Sequence, residues 1–231
     1  MKSHLDTLLN SNSQFGSHER RFNHEALALL LEQFKKEHDK DQVFIAAGAA
    51  ALLALLSRLR FDMVGDEAFI FIRPYIHSMF IYIRLEGDEI CCYIFDSQNW
   101  GLRYYPTRLF IEALVNYFPK NSHIYLSGTT VQSQNNNRGC TEFSLACLNY
   151  LSEHGNQFFK EIRRAQTTPL KHPWLEVDTV FQLADNALPQ MLVDQLNNAP
   201  QQYNQYLREL NDLLVSTYTR RFKCEVQLMS K

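Results

Sequence analysis

The chain has 231 residues, 45% of them hydrophobic and 21% charged, the composition of an ordinary globular protein with enough apolar material for one substantial core. A formal net charge of −2 and a pI near 6.4 exclude a general electrostatic pull toward nucleic acid or an anionic membrane, so any basic site has to be local. Five cysteines, at 91, 92, 140, 147 and 224, are odd in number and follow neither a disulfide framework nor zinc-ligand spacing, which points to a reducing compartment and a free Cys140.

Residues 1–20 are mostly polar and are expected to form a flexible arm, with no secretion signal as far as His24. The remainder, 21–231, is expected to be one domain, with a core over 67–155 and a mainly helical lobe over 156–231. Leu27, Leu30, Leu31 and Phe34 mark an amphipathic helix from Phe22 to Lys36. The run Val43 to Leu56 is too short for a transmembrane segment of roughly 20 residues and is expected as a buried helix over 43–60. Its Ala-rich stretch would let a neighbouring element approach closely.

From Glu67 the pattern changes. Ala68 to Ile72, Met79 to Leu85 and Ile90 to Phe95 are rich in Phe, Ile and Tyr, and Glu86-Gly87-Asp88 between the last two is a turn signal. A hairpin centred near residue 87 places 83 opposite about 91, and His77 opposite about 96 to 98. His77 and Asp96 are therefore expected at the same open end of two paired strands. A loop with Trp100, a helix from Thr107 to Phe118 with Leu109, Phe110, Leu114 and Val115 inward, and a strand from Ile124 to Leu126 come next. This order of elements, with helices at both ends, predicts an α+β domain.

The polar stretch from Gln134 then runs into Cys140, after which Phe143, Ala146, Cys147, Tyr150 and Leu151 recur at helical spacing. The helix starts near Cys140. A thiol at that position feels unpaired N–H groups and the positive end of the helix dipole, which favour thiolate. Gln134, six residues upstream, supplies an amide that could donate to an oxyanion. Cys91, Cys92 and Cys147 read as core residues.

Beyond Asn156 the chain reads as mainly helical: Phe158 to Ala165, a connector at 169–173, Val177 to Asn186, a helix opened by Leu188-Pro189, and a final helix from Tyr203 to Tyr218 before a short strand through Leu228. Lys160, Arg163, Arg164, Lys171, His172, Arg220, Arg221 and Lys223 concentrate basic charge there. Such residues ordinarily form a solvated face; converging, they would form an anion pocket.

His77, Asp96, Gln134 and Cys140 supply an imidazole base, a carboxylate to orient it, an oxyanion donor and a thiol nucleophile. This order, with Gln-x5-Cys opening a helix, resembles the CE clan of cysteine proteases, which includes ubiquitin-like-protein proteases and the YopJ family of bacterial effectors. Cys140-Thr-Glu-Phe-Ser-Leu-Ala is more similar to the YopJ family's Cys-x-x-Phe-Ser-Leu helix start, and Leu188-Pro189 through Tyr206-Leu207 resembles its later Leu-Pro segment. Two departures stand out. Asp96-Ser97 replaces the family's usual Glu, and Val193-Asp194-Gln195 replaces a common Lys-His pair.

The resemblance implies a CE-protease-like core, a central mixed sheet with flanking helices, and a C-terminal helical lobe. It implies acetyl transfer from acetyl-CoA through a Cys140 thioester to Ser, Thr or Lys of host proteins such as kinases. Inositol hexakisphosphate would be the activator, with the basic residues contacting its phosphates or those of coenzyme A. It further implies delivery by a specialised bacterial secretion system into the host cytoplasm. A deubiquitinase or ubiquitin-like-protein protease using the same triad, and a catalytically silent binding module, are the competing readings.

Overall fold

A computed structural model describes residues 24–73, 77–98, 105–118, 121–127, 140–165, 167–170, 179–184 and 186–199. The expected N-terminal arm, Trp100, Gln134, Lys171, His172, the 203–218 helix, Arg220, Arg221 and Lys223 lie outside the described residues. The chain divides into two compact units, residues 1–30 with 205–231 and residues 31–204. The sheet and the site belong to the second.

Five helices and seven strands are described. The helices are α1 (His24–His38), α2 (Ala49–Leu56), α3 (Tyr105–Tyr117), α4 (Cys140–Arg164) and α5 (190–199). The strands are β1 (Val43–Ala46), β2 (Glu67–Ile72), β3 (Met79–Glu86), β4 (Glu89–Phe95), β5 (His123–Leu126), β6 (Thr167–Pro169) and β7 (Val180–Leu183). They form one mixed sheet in the order β1-β2-β3-β4-β5-β7-β6. The pairs β1/β2, β4/β5 and β5/β7 are parallel and the others antiparallel.

The alternation of side chains along a strand sorts this sheet into two chemically different faces. Ile70, Ile72, Met79, Ile81, Ile83, Cys92, Ile94, Ile124 and Val180 make an aliphatic face. They pack with Leu52 and Leu56 of α2 and with Phe110, Ile111 and Leu114 of α3. The residues between them are aromatic. Tyr82 stacks on Phe159 of α4 with ring centroids 5.3 Å apart, Tyr93 meets Phe158 edge-on at 4.8 Å, and Phe69 meets Phe34 of α1 at 6.3 Å. Both faces are covered, so the central strands carry continuous apolar runs, Ala68 to Ile72, Met79 to Ile83 and Ile90 to Phe95, with charged residues only at the hairpin end.

The β3–β4 hairpin turns through Gly87 and Asp88, with Gly87 at φ 66, where a side chain would be strained. Its register pairs Ile83 with Cys92, one residue from the expected 91.

Three expectations are corrected. Val43 to Ala46 is a strand and not the start of a helix: Val43 pairs with Phe69 in parallel register, and the helix begins only after Gly48. Val180 to Leu183, read as part of a helix over 177–186, is a strand paired with β5, and Thr167–Pro169, read partly as connector, pairs with it. In both cases a short apolar run was given a helical period when its hydrogen-bond partners lay elsewhere in the sheet. In α3 the buried face carries Ile111 and Ala113 beside Phe110 and Leu114, with Val115 packed against the same core, whereas Leu109 is half-buried and outside it. The helix α4 runs unbroken for 25 residues, from Cys140 to Arg164.

Candidate active site

Three segments converge at one end of the sheet. His77 lies just before β3, Asp96 just after β4, and Cys140 is the first residue of α4. The hairpin register carries the first two together, since pairing ends at Phe80 and Phe95 and both chains continue outward from there. The chain then enters α4 after β5, a strand parallel to β4. The start of α4 is tied to this end of the sheet through its contacts with Ser78.

His77 Nε2 is 2.9 Å from Asp96 Oδ1, and both side chains are almost wholly buried, at 3% and 5% exposure. Asp96 Oδ1 also accepts the Gln98 N–H at 2.9 Å, which fixes the carboxylate against the turn that follows β4. The imidazole is hydrogen-bonded to the Cys140 thiol as well, so it lies between carboxylate and sulfur. The Ser78 N–H also donates to Cys140 Sγ at 3.3 Å. The Ser78 and Thr141 hydroxyls are hydrogen-bonded at 2.8 Å.

These contacts set the protonation states. Burial pulls the imidazolium pKa down, but hydrogen bonds and charge attraction from Asp96 and Cys140 outweigh it and raise His77 to about 9. Burial likewise pushes the Cys140 thiol up, and the His77 hydrogen bond and charge, with the Ser78 N–H, bring it below the ordinary thiol value. The arrangement stabilises a thiolate–imidazolium pair. Cys147, one helical face inward, is fully buried without such partners, and its thiol is driven well up. Cys92 is in the same state, whereas Cys91 accepts from Arg163 Nη2 at 2.8 Å. Among the described cysteines, all free, Cys140 alone has its thiol lowered.

No protein-family model matches the sequence, and no curated protein matches it. Solved structures do. An AvrA deletion variant with IP6 and CoA superposes with a TM-score of 0.56 at 16% identity, covering 91% of this chain and 79% of that one. HopZ1a in complex with IP6 has a TM-score of 0.50 at 14% identity, covering 80% of this chain and 66% of that one. The fold is that of YopJ-family effectors.

Within this YopJ-type fold the expected site residues separate clearly. His77, Asp96 and Cys140 are brought together; Gln134 lies outside the described residues. Of the basic residues, Lys160 lines a groove of about 670 Å³ between α4 and α5, beside Tyr150, His154 and Met191. Arg163 is held by Glu89 at 2.8 Å and by Cys91, and Arg164 is exposed. Lys160 is twenty residues along α4 from Cys140, about 30 Å of helix at 1.5 Å per residue.

Three neighbours of His77, Asp96 and Cys140 were not singled out by the sequence: Ser78, Thr141 and Glu142. The first two directly follow His77 and Cys140, which was the available signal. Glu142 is buried in the first turn of α4, and burial raises its carboxyl to about 7, with Arg73 opposing the shift.

Proposed function

We propose that the chain is a YopJ-type acetyltransferase using His77, Asp96 and Cys140. One observation supports the reading above others: in a fold shared with AvrA and HopZ1a, a buried carboxylate–imidazole–thiol chain ends at the first residue of a helix. His77 accepts the Cys140 proton, and the thiolate attacks the acetyl carbonyl of acetyl-CoA. The tetrahedral intermediate collapses to a Cys140 thioester, and the coenzyme A thiolate leaves with the proton that His77 returns. A Ser or Thr hydroxyl, or a Lys amine, of a host protein such as a kinase then gives its proton to His77 and attacks the thioester. The acetyl group passes to the acceptor and the Cys140 thiol is regenerated. Gln134 would donate to the oxyanion, beside backbone N–H groups at the start of α4.

Inositol hexakisphosphate would act as an activator by bridging basic residues. Lys160 and Arg164 are exposed on α4 and Arg163 would join them by leaving Glu89; Lys171, Arg220 and Arg221, the other residues expected to contribute, lie outside the described residues. On this reading the protein is a bacterial effector delivered into the host cytoplasm. A ubiquitin-like-protein protease is favoured by one feature, the Asp96-Ser97 pair in place of Glu.

Intact mass spectrometry tests the proposal. Wild type and Cys140→Ala are incubated with acetyl-CoA plus inositol hexakisphosphate, and in parallel with electrophilic probes built on ubiquitin-family proteins. An acetyl adduct that needs Cys140, without probe capture, is the expected result. Probe capture without acetylation would replace the transferase with the protease, and acetylation undiminished in Cys140→Ala would overturn the thioester mechanism.

A further inference from the structure

We infer that Ser78 and Thr141 are positioning residues, a buried hydroxyl clasp that holds the Cys140 sulfur against His77. Each is the immediate successor of a reacting residue. Their hydroxyl oxygens are 2.8 Å apart across 63 positions of sequence, and at 2% and 6% exposure each relies on the other in place of water. The Ser78 N–H meanwhile donates to Cys140 Sγ at 3.3 Å.

The need for a clasp follows from where the ladder stops. The last β2–β3 pair is Ile72 with Met79 and the last β3–β4 pair is Phe80 with Phe95, so positions 77 and 78 receive no strand pairing. The peptide plane joining His77 to Ser78 is rigid, so anchoring Ser78 restrains the imidazole through its own backbone. Thr141 is joined to Cys140 in the same way at the helix start. Ser144 Oγ donates to the Cys140 carbonyl at 2.8 Å and steadies the helix side of the pair. One hydroxyl contact thus couples two backbones that carry the base and the nucleophile, and keeps the Ser78 N–H aimed at the sulfur.

The inference rests on the reading of Cys140 as the nucleophile, and its test separates the two. The rate of iodoacetamide alkylation at Cys140 is followed against pH by peptide mass spectrometry on the full chain, for wild type, Ser78→Ala, Thr141→Val, Thr141→Ser and the Ser78→Ala/Thr141→Val double variant. Wild type should alkylate as a thiolate at neutral pH; an ordinary thiol profile there would overturn the nucleophile reading before any variant is compared. With that established, Ser78→Ala and Thr141→Val should each slow neutral-pH alkylation about 5- to 10-fold and move the profile to higher pH, the loss of one hydrogen bond's worth of positioning. The double variant should be no worse than either single, and Thr141→Ser should retain the wild-type profile. Variants with lowered unfolding temperatures and an unchanged pH profile would reduce the clasp to a structural contact. Independent, multiplying losses would show that the two hydroxyls do not act as a pair. Either result overturns the inference.

Discussion

His77 Nε2 lies 2.9 Å from Asp96 Oδ1 across 19 residues of sequence, Asp96 directly after the last paired residue of β4, Phe95, and His77 just ahead of the first paired residue of β3, Met79. The contact orients the imidazole and supplies the negative charge that keeps it protonated beside a thiolate. Replacing Asp96 by Asn keeps the shape and removes the charge. The expected outcome is a lower imidazole pKa and a loss in the proposed acetyl transfer of about 10²- to 10⁴-fold, measured as kcat/KM on an acceptor protein or by single-turnover formation of the proposed thioester. Wild-type rates in this variant would remove Asp96 from the mechanism.

The raised imidazole pKa also makes stability depend on pH. A folded-state value of about 9 against an ordinary 6.5 means that the folded protein holds this proton more tightly than the unfolded chain. The resulting stabilisation is complete below 6.5 and is lost as pH rises through about 9. The unfolding temperatures of wild type and His77→Ala should therefore converge across that window, and a constant gap would contradict the ion pair.

Glu142 has the opposite charge type and the same direction of dependence. Its carboxyl, raised by burial to about 7 from an ordinary 4.5, favours the protonated folded state, so its contribution is present below 4.5 and is lost as pH rises through 7. Glu142→Gln removes that loss. It should stabilise the fold by about 2 kcal/mol above neutral pH and leave stability near pH 4 almost unchanged, read by denaturant titration. Because the ionised Glu142 opposes the Cys140 thiolate, the same variant should alkylate faster at neutral pH.

Gly155 sets how closely α4 lies on the sheet. A Cβ at that position would overlap the Tyr82 hydroxyl, which donates to Glu67 Oε2 at 2.6 Å and is held by a surrounding network in which Arg84 and Lys40 also bind Glu67. Gly→Ala in a helix ordinarily stabilises by about 1 kcal/mol. Here Gly155→Ala should instead destabilise by about 2 kcal/mol, the cost of overpacking against a fixed ring. Adding Tyr82→Phe should recover part of that, since the hydroxyl is the nearest obstacle. Equal or higher stability of Gly155→Ala would mean that the helix has room to shift.

The hairpin was legible because its information is local. Two runs rich in Phe, Ile and Tyr, a Glu-Gly-Asp turn between them and the two-residue side-chain period of a strand are sufficient to bring His77 and Asp96 together without knowledge of the rest of the sheet. The helix start at Cys140 was legible for the same reason, from spacings of three and four downstream. These two local patterns carried most of the candidate site.

What tertiary structure alone decided was pairing between distant segments. Val43 becomes a strand because Phe69 accepts it into the sheet, and Val180 because Ile124 does; a short apolar run carries no mark of such a partner. The second face of the sheet was hidden likewise, since its aromatic rings declare themselves only when Phe158 and Phe159 of α4 lie over them. Ser78 and Thr141 are ordinary polar residues in the sequence. They become a coupled pair only when the fold closes 63 residues and removes water from both hydroxyls, leaving each to satisfy the other.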